Sequence, residues 1–192
     1  VLCDFLSEHP GVSAELVLSD RRIDLIEGRF DLAFRVGLGL QAPPGFEGEI
    51  LSPTWVLLCA SPGYVARHGL PEKPADLLHH QAVIVRFLGG SRWRLWGPRD
   101  VVEVDVTGRI SLDDVTMAER AIRAGLGIGG IAAALAGPSL RAGLLVHVLP
   151  QYTFEPRSFQ VLYPIAERRP PRTRRLIEHM VTHLRRAIAE RM

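Results

Sequence analysis

The chain has 192 residues, 47% of them hydrophobic and 23% charged, with a formal net charge of +2. That apolar content supports a packed core and argues against a disordered chain, while the near-neutral balance argues neither for nor against a nucleic-acid partner. Two cysteines, Cys3 and Cys59, make neither a disulfide framework nor a metal pattern, which fits a reducing compartment; no apolar run reaches the roughly 18 residues of a membrane span, and no signal peptide opens the chain.

In chain order, Val1, Leu2, Phe5 and Leu6 share one face of an opening helix over 1–8, which ends before His9-Pro10-Gly11. The chain starts inside that helix, so further residues are expected ahead of Val1. Ala14–Leu18 reads as an apolar strand. A helix follows, with Ser19 or Asp20 able to accept from the free N–H groups of its first turn. Its apolar side carries Ile23, Leu25, Ile26 and Phe30, and Gly28 stands where a helix stop is expected. A second strand runs to Val36 and closes on Gly37. Strand, helix, strand is the unit that builds parallel sheets, in which ligands bind at the carboxyl ends of the strands.

Gln41–Gly48 is loop by its prolines and glycines, and Glu49–Leu51 a short strand. Thr54–Ala60 is a strongly apolar strand that buries Cys59. Ser61-Pro62 starts a helix to about His68, with serine as N-cap and proline in the first turn. Ala75–His79 is a helical turn and Ala82–Phe87 a strand. Arg92–Trp96 and Val101–Thr107 pair around the turn Gly97–Asp100, and Ile110-Ser111 ends another strand. Asp113 or Asp114 caps a helix over Val115–Ala124 with Met117, Ala121 and Ile122 inward. Leu126–Ala132 is a glycine-rich strand, Pro138–Ala142 a helical turn and Leu144–Leu149 a strand. Gln151–Arg157 is irregular and Phe159–Tyr163 a strand. Pro171 opens a last helix to about Arg191, with Leu176, Ile177, Met180, Val181, Leu184 and Ile188 on one face. The alternation predicts an α/β chain of mostly parallel sheet, in two lobes joined by two crossings.

Four stretches in this order resemble the effector-binding domain of LysR-type transcriptional regulators. They are FLSEHPGVSAELVLSDRRIDLIEGRFDLAFRVG (Phe5–Gly37), LLCASPGYVARHGLPEKPADLLHH (Leu57–His80), VTGRISLDDVTMAERAIRAGLGIGGI (Val106–Ile131) and SLRAGLLVHVLP (Ser139–Pro150). The resemblance implies two Rossmann-like lobes of the periplasmic-binding-protein-like type 2 class, with an inter-lobe cleft. Lobe I is expected over 1–53 and 157–192, lobe II over 54–156. A small effector, anionic or aromatic, is expected in the cleft, where it biases a DNA-binding oligomer. The family also implies homodimer or tetramer pairing through the first helix and the Ala14–Leu18 edge. It implies DNA contact through an N-terminal winged helix-turn-helix that these residues do not include, and a cytoplasmic location.

The effector-binding expectation covers Ser19, Phe34, Val36, Ser61, Arg86, Phe87 and Asp113. Ser19, Ser61 and Asp113 open helices, whose N-termini attract anions; ordinary capping explains the same residues. Arg86 can pair with a carboxylate bidentately or simply face solvent. Phe34 and Val36 face the hinge by analogy, and Phe34 suits the core equally. Gly125-Leu-Gly-Ile-Gly-Gly130 matches GxGxxG, but a helix precedes it and a strand follows, the reverse of a dinucleotide fingerprint. Its glycines read as a helix stop and close packing. His79-His80 lack partners at metal-ligand spacing, no GxSxG occurs, and the basic segment from Arg168-Arg169 to Arg191 reads as a solvated helix face. No catalytic residue, cofactor or metal is expected. The rival readings are a solute-binding protein for transport and an enzyme on the same scaffold.

Overall fold

The computed structural model describes residues 1–19, 23–165 and 171–189, without the side chains at 172, 187 and 189. The chain divides into two compact units, Val1–Pro53 with Arg157–Met192, and Thr54–Pro156.

The first unit holds helix α1 (Leu2–Glu8) and strands β1 (Ala33–Gly37), β2 (Phe46–Thr54) and β11 (Arg157–Pro164), with the last helix α5 (Pro171–Ala189). The sheet order is β1-β11-β2. β1 runs antiparallel to β11, with Ala33 opposite Leu162 and Gly37 opposite Ser158. Gly45 bonds to Ile165 and Gly48 abuts Leu162, so β2 also runs antiparallel to β11. Phe5, Leu25, Val161, Leu162, Ile177 and Met180 form the buried core of this unit. Phe5 and Ile177 are there because α1 and α5 present their apolar stripes inward.

This unit departs from the sequence reading at its front. Ala14–Leu18 is not a strand: its residues are all exposed, and Leu18 is 84% exposed. An apolar run becomes a strand only where a neighbour accepts its backbone ladder, and β1 and β11 pair with each other instead. The following helix shrinks to one turn. Asp24 caps it, its Oδ1 accepting from the Ile26 and Glu27 N–H groups at 2.8 and 3.1 Å. The chain leaves the turn through Arg29 at φ 49°. Ser19 is therefore not the cap of this turn, and Asp20 lies outside the described residues. Arg168, Arg169 and Arg191, with the end of the last helix, also lie outside them.

The second unit is built on an eight-stranded sheet among the described residues, in the order β6-β5-β10-β3-β8-β4-β7, with β9 beside β3. The strands are β3 (Val56–Ala60), β4 (Gln81–Val85), β5 (Arg92–Trp96), β6 (Val101–Asp105), β7 (Thr107–Leu112), β8 (Ile128–Ala132), β9 (Val146–His147) and β10 (Thr153–Phe154). Helices α2 (Pro62–His68), α3 (Val115–Arg123) and α4 (Ala133–Arg141) complete it, with short 3₁₀ helices at Pro74–His79 and Arg86–Leu88. Ser61 caps α2, its Oγ accepting from the Tyr64 N–H at 3.2 Å.

Only β4 is paired in parallel in this sheet, with β7 and β8; β3, β5, β6, β8, β9 and β10 otherwise pair antiparallel. The expected mostly parallel sheet is thus corrected. The reason is local: β5 and β6 are a hairpin, and β3 enters the sheet from the opposite end to β4 and β8. Other expectations shift too, among them the strand over Leu144–Leu149, which shortens to Val146–His147. Ala133–Ala136 are good helix formers and extend the turn expected at Pro138–Ala142 into α4. Gln151–Arg157 contributes β10, a sheet strand of two residues. Met117 points outward at 45% exposure, since the α3 stripe that buries Ala118, Ala121 and Ile122 runs one residue later.

The core of this unit gathers Leu58, Cys59, Val83, Trp93, Leu95, Ile122, Ile128 and Val148, all at most 1% exposed. Burial pushes the Cys59 thiol up to about 12, so it stays protonated and packs as an apolar group. Leu58→Ala removes a fully buried side chain and is expected to cost about 2–5 kcal/mol, measurable as a lower urea midpoint at unchanged slope.

Two histidines couple this unit to pH. Tyr64 Oη accepts the Gln81 N–H at 2.9 Å and lies 3.2 Å from His80 Nδ1, a site for its own proton. Burial lowers the pKa of His80 and of His147 below the usual 6.5. The unfolded chain then binds more protons than the folded one, so stability falls as pH drops below 6.5. Chemical denaturation at pH 7.5 and 5.5 should show that loss, and His147→Gln should shrink it.

Candidate functional site

Register decides which candidate residues share an end of each sheet. In the second unit, Val85 on β4 lies opposite Leu112 on β7, so the next residues, Arg86 and Asp113, emerge side by side. Arg86 Nη2 donates to Asp113 Oδ2 at 2.6 Å. Both side chains are partly exposed, at 62% and 37%. The chain turns sharply after them through Gly89 at φ 103° and Gly90 at φ 64°, a backbone that glycine adopts without Cβ strain. That turn ends β4 at Val85, so Arg86 and Phe87 stand in the 3₁₀ helix rather than in the expected strand. Phe87 is 40% exposed.

Asp114, not Asp113, caps α3, its Oδ1 accepting from the Met117 N–H at 2.6 Å. A carboxylate on the positive end of the helix satisfies one of its free donors and its dipole. Asp113 pairs with Arg86.

The same end of the sheet is where the chain enters and leaves this unit. β3 runs antiparallel to β8, with Val56 opposite Ala132, and Ala133 N–H bonds to Trp55 O. β10 runs antiparallel to β3, with Thr153 opposite Leu57, which brings Glu155-Pro156 to that end as well. Ser61 is at the other end. Cys59 lies opposite Gly129 and Val83 opposite Gly129, so Ser61 falls level with the start of β8 and β4. Its Oγ sits beside Gly125. Ser61 is thereby separated from Arg86, Phe87 and Asp113 by the length of the sheet, and its role is the α2 cap.

In the first unit, the end at which the chain leaves and returns is marked by the close of β2 and the start of β11. Val36 and Gly37 end β1 there, opposite Phe159 and Ser158. Val36 is 52% exposed. Phe34 is partly buried and stacks on Phe159, ring centroids 5.8 Å apart, so it is packed within the sheet face. The segment after β1 is held by a buried polar pair that sequence reasoning missed. Gln160 Nε2 donates to Gly39 O and to Ser158 Oγ, the latter at 2.7 Å. Gln160 is 3% and Ser158 8% exposed. Two polar residues in an apolar strand were the available signal, since buried polar groups need partners. Ser19 is exposed and follows an unpaired stretch; the described residues do not place it with Val36 and Gly37.

Comparison with known proteins agrees with this architecture. The family model of the LysR substrate binding domain matches residues 1–185. The Escherichia coli HTH-type regulator YcaN is 32% identical over 164 residues, covering 85% of this chain and 54% of its own length. The E. coli HTH-type transcriptional activator AaeR is 28% identical, covering 93% and 57%. Among solved structures, the full-length Vibrio cholerae virulence activator AphB superposes with a TM-score of 0.84 at 26% identity, covering 94% of this chain and 61% of that one. The regulatory domain of AphB from Vibrio vulnificus gives 0.77 at 25%, covering 95% and 89%. The chain spans about half the length of the curated relatives it matches.

Replacing Gln160 with Leu should leave Gly39 O and Ser158 Oγ without their donor and cost about 1–3 kcal/mol, read by urea denaturation. The chain belongs to the LysR substrate-binding domain family, in the two-lobed periplasmic-binding-protein-like fold.

Proposed function

We propose that this chain is the ligand-sensing domain of a LysR-type regulator and that it binds a small effector. The observation that supports this best is that Arg86, Phe87 and Asp113 gather at the end of the second sheet where the chain enters and leaves. In the first unit, Val36 and Gly37 close β1 beside the start of β11. An effector acts by differential affinity for two arrangements of the full-length protein.

On this reading the domain binds and does not catalyse. The full-length protein pairs with itself through α1 and the exposed Ala14–Leu18 stretch, meets DNA through a helix-turn-helix outside this chain, and works in the cytoplasm. No helix among the described residues is long and apolar enough to cross a membrane.

A thermal-shift screen of bacterial metabolites tests the reading. A ligand at 100 times its Kd should add about 2.7 kcal/mol. Phe87→Ala and Val36→Asp should each weaken that ligand at least about tenfold, roughly 1.4 kcal/mol. A ligand whose binding ignores both substitutions places the site elsewhere.

A further inference from the structure

We propose that the first unit carries a small-molecule site of its own, apart from the effector reading above: a pocket between the end of α1 and the start of α5 that binds a small aromatic carboxylate. Phe5, His9, Val12, Pro171 and Arg175 line a partly open cavity of about 230 Å³. A cavity needs only about 10–15 Å³ of such space to hold a water, so this one takes an organic molecule of benzoate size.

Helical spacing builds the walls. Phe5 on α1 and its C-cap His9 are four residues apart, and so are Pro171 and Arg175 on α5, which puts each pair on one helix face. Val12 is brought in by a turn, its N–H bonding to His9 O at 2.9 Å. The Phe5 ring is 2% exposed and is held by two others. It stacks on His9 with ring centroids 4.2 Å apart, and it meets His179 edge-on at 5.1 Å. His179 in turn stacks on His183 at 4.0 Å. His9 Nδ1 lies 2.9 Å from Phe5 O, and since a carbonyl only accepts, that nitrogen carries the proton and fixes the ring. A wall ordered before the ligand arrives costs little to order on binding.

The lining decides the chemistry. Phe5, Val12 and Pro171 are apolar, and no lining residue is acidic; Glu8 and Glu178, on the same two helices, do not reach the cavity. Arg175 is exposed, and among the described residues no ion pair or hydrogen bond occupies its guanidinium. The 19-residue α5 begins at Pro171, so the positive end of its dipole lies at the pocket too. A carboxylate matches a guanidinium bidentately, and a flat ring matches walls of Phe5, His9, Val12 and Pro171. A phosphate asks for more donors than this lining holds, and a neutral ring gains nothing from the Arg175 charge.

The test uses this chain with benzoate as the probe at pH 7.5, read by isothermal titration and by the His9 ring-proton resonances in NMR. Benzoate is expected to saturate with a Kd of about a millimolar and to shift those resonances. Benzamide, of the same size but uncharged, should bind about tenfold more weakly, and so should benzoate to Arg175→Gln, the loss of one charge-assisted contact. Val12→Trp should fill the cavity and abolish saturation, with a thermal melt of each variant checking the fold.

Saturable binding that leaves either the His9 resonances or the Arg175→Gln affinity unmoved overturns the inference, as does the absence of saturation at millimolar benzoate. Benzamide that binds as tightly as benzoate overturns the charge assignment. None of these outcomes bears on the effector reading, which the metabolite screen decides.

Discussion

The second unit depends on two residues that have no side chain. Gly129 and Gly130 lie on β8, between β3 and β4, and are fully buried. A Cβ on Gly129 would meet Ile122 Cδ1 at 2.7 Å; one on Gly130 would meet Leu88 Cδ1 at 2.7 Å and Phe154 Cε2 at 2.8 Å. The space those methyls would take is filled by a helix on one side of the strand and a turn on the other. Ile122 seats α3 against the sheet, and Leu88 seats the 3₁₀ turn. Interiors packed at crystal density do not take an added methyl without displacing these side chains. The positions of Arg86, Phe87, Asp113 and Asp114 therefore follow from contacts made by their apolar neighbours. A rigid scaffold beneath exposed polar groups is how a loop comes to carry recognition.

The polar residues then divide the work. Asp114 is committed to the α3 backbone, and Asp113 pairs with Arg86. The Arg86–Asp113 pair is too exposed to matter much for folding; such pairs contribute about 0–1 kcal/mol. Its consequence is for charge at the surface. In the first unit the opposite choice is made. Gln160 and Ser158 are buried, uncharged and satisfied by the backbone of Gly39 and by each other. Neutral partners hold the end of β1 in place without placing a charge there, at little desolvation cost once every group is paired.

Much of the architecture was legible in the residues. The Ser61-Pro62 start of α2, the β5–β6 hairpin around Gly97–Asp100, the buried Cys59 and the amphipathic α5 all express short-range rules of capping, turn chemistry and periodicity. The GxGxxG run served close packing at Gly129 and Gly130, as its order of helix then strand indicated. The family resemblance rested on four long stretches and carried the fold class with it. The candidate site was legible only in part. Arg86, Phe87 and Asp113 were named, but so was Ser61, and nothing in the linear chain says that Ser61 and Arg86 leave opposite ends of one sheet.

What the amino-acid order determined by itself was where helices begin, which stripes are apolar, and which family the chain resembles, because those depend on neighbours within a few residues. What only the tertiary structure decided was direction and partnership. Whether an apolar run such as Ala14–Leu18 or Leu57–Ala60 becomes a strand depends on a distant segment offering its backbone. Which of two adjacent aspartates caps α3 depends on where Arg86 arrives from β4, 27 residues earlier in the chain. Register converts such distant pairings into a shared surface, and a change of strand direction moves a residue the full length of the sheet.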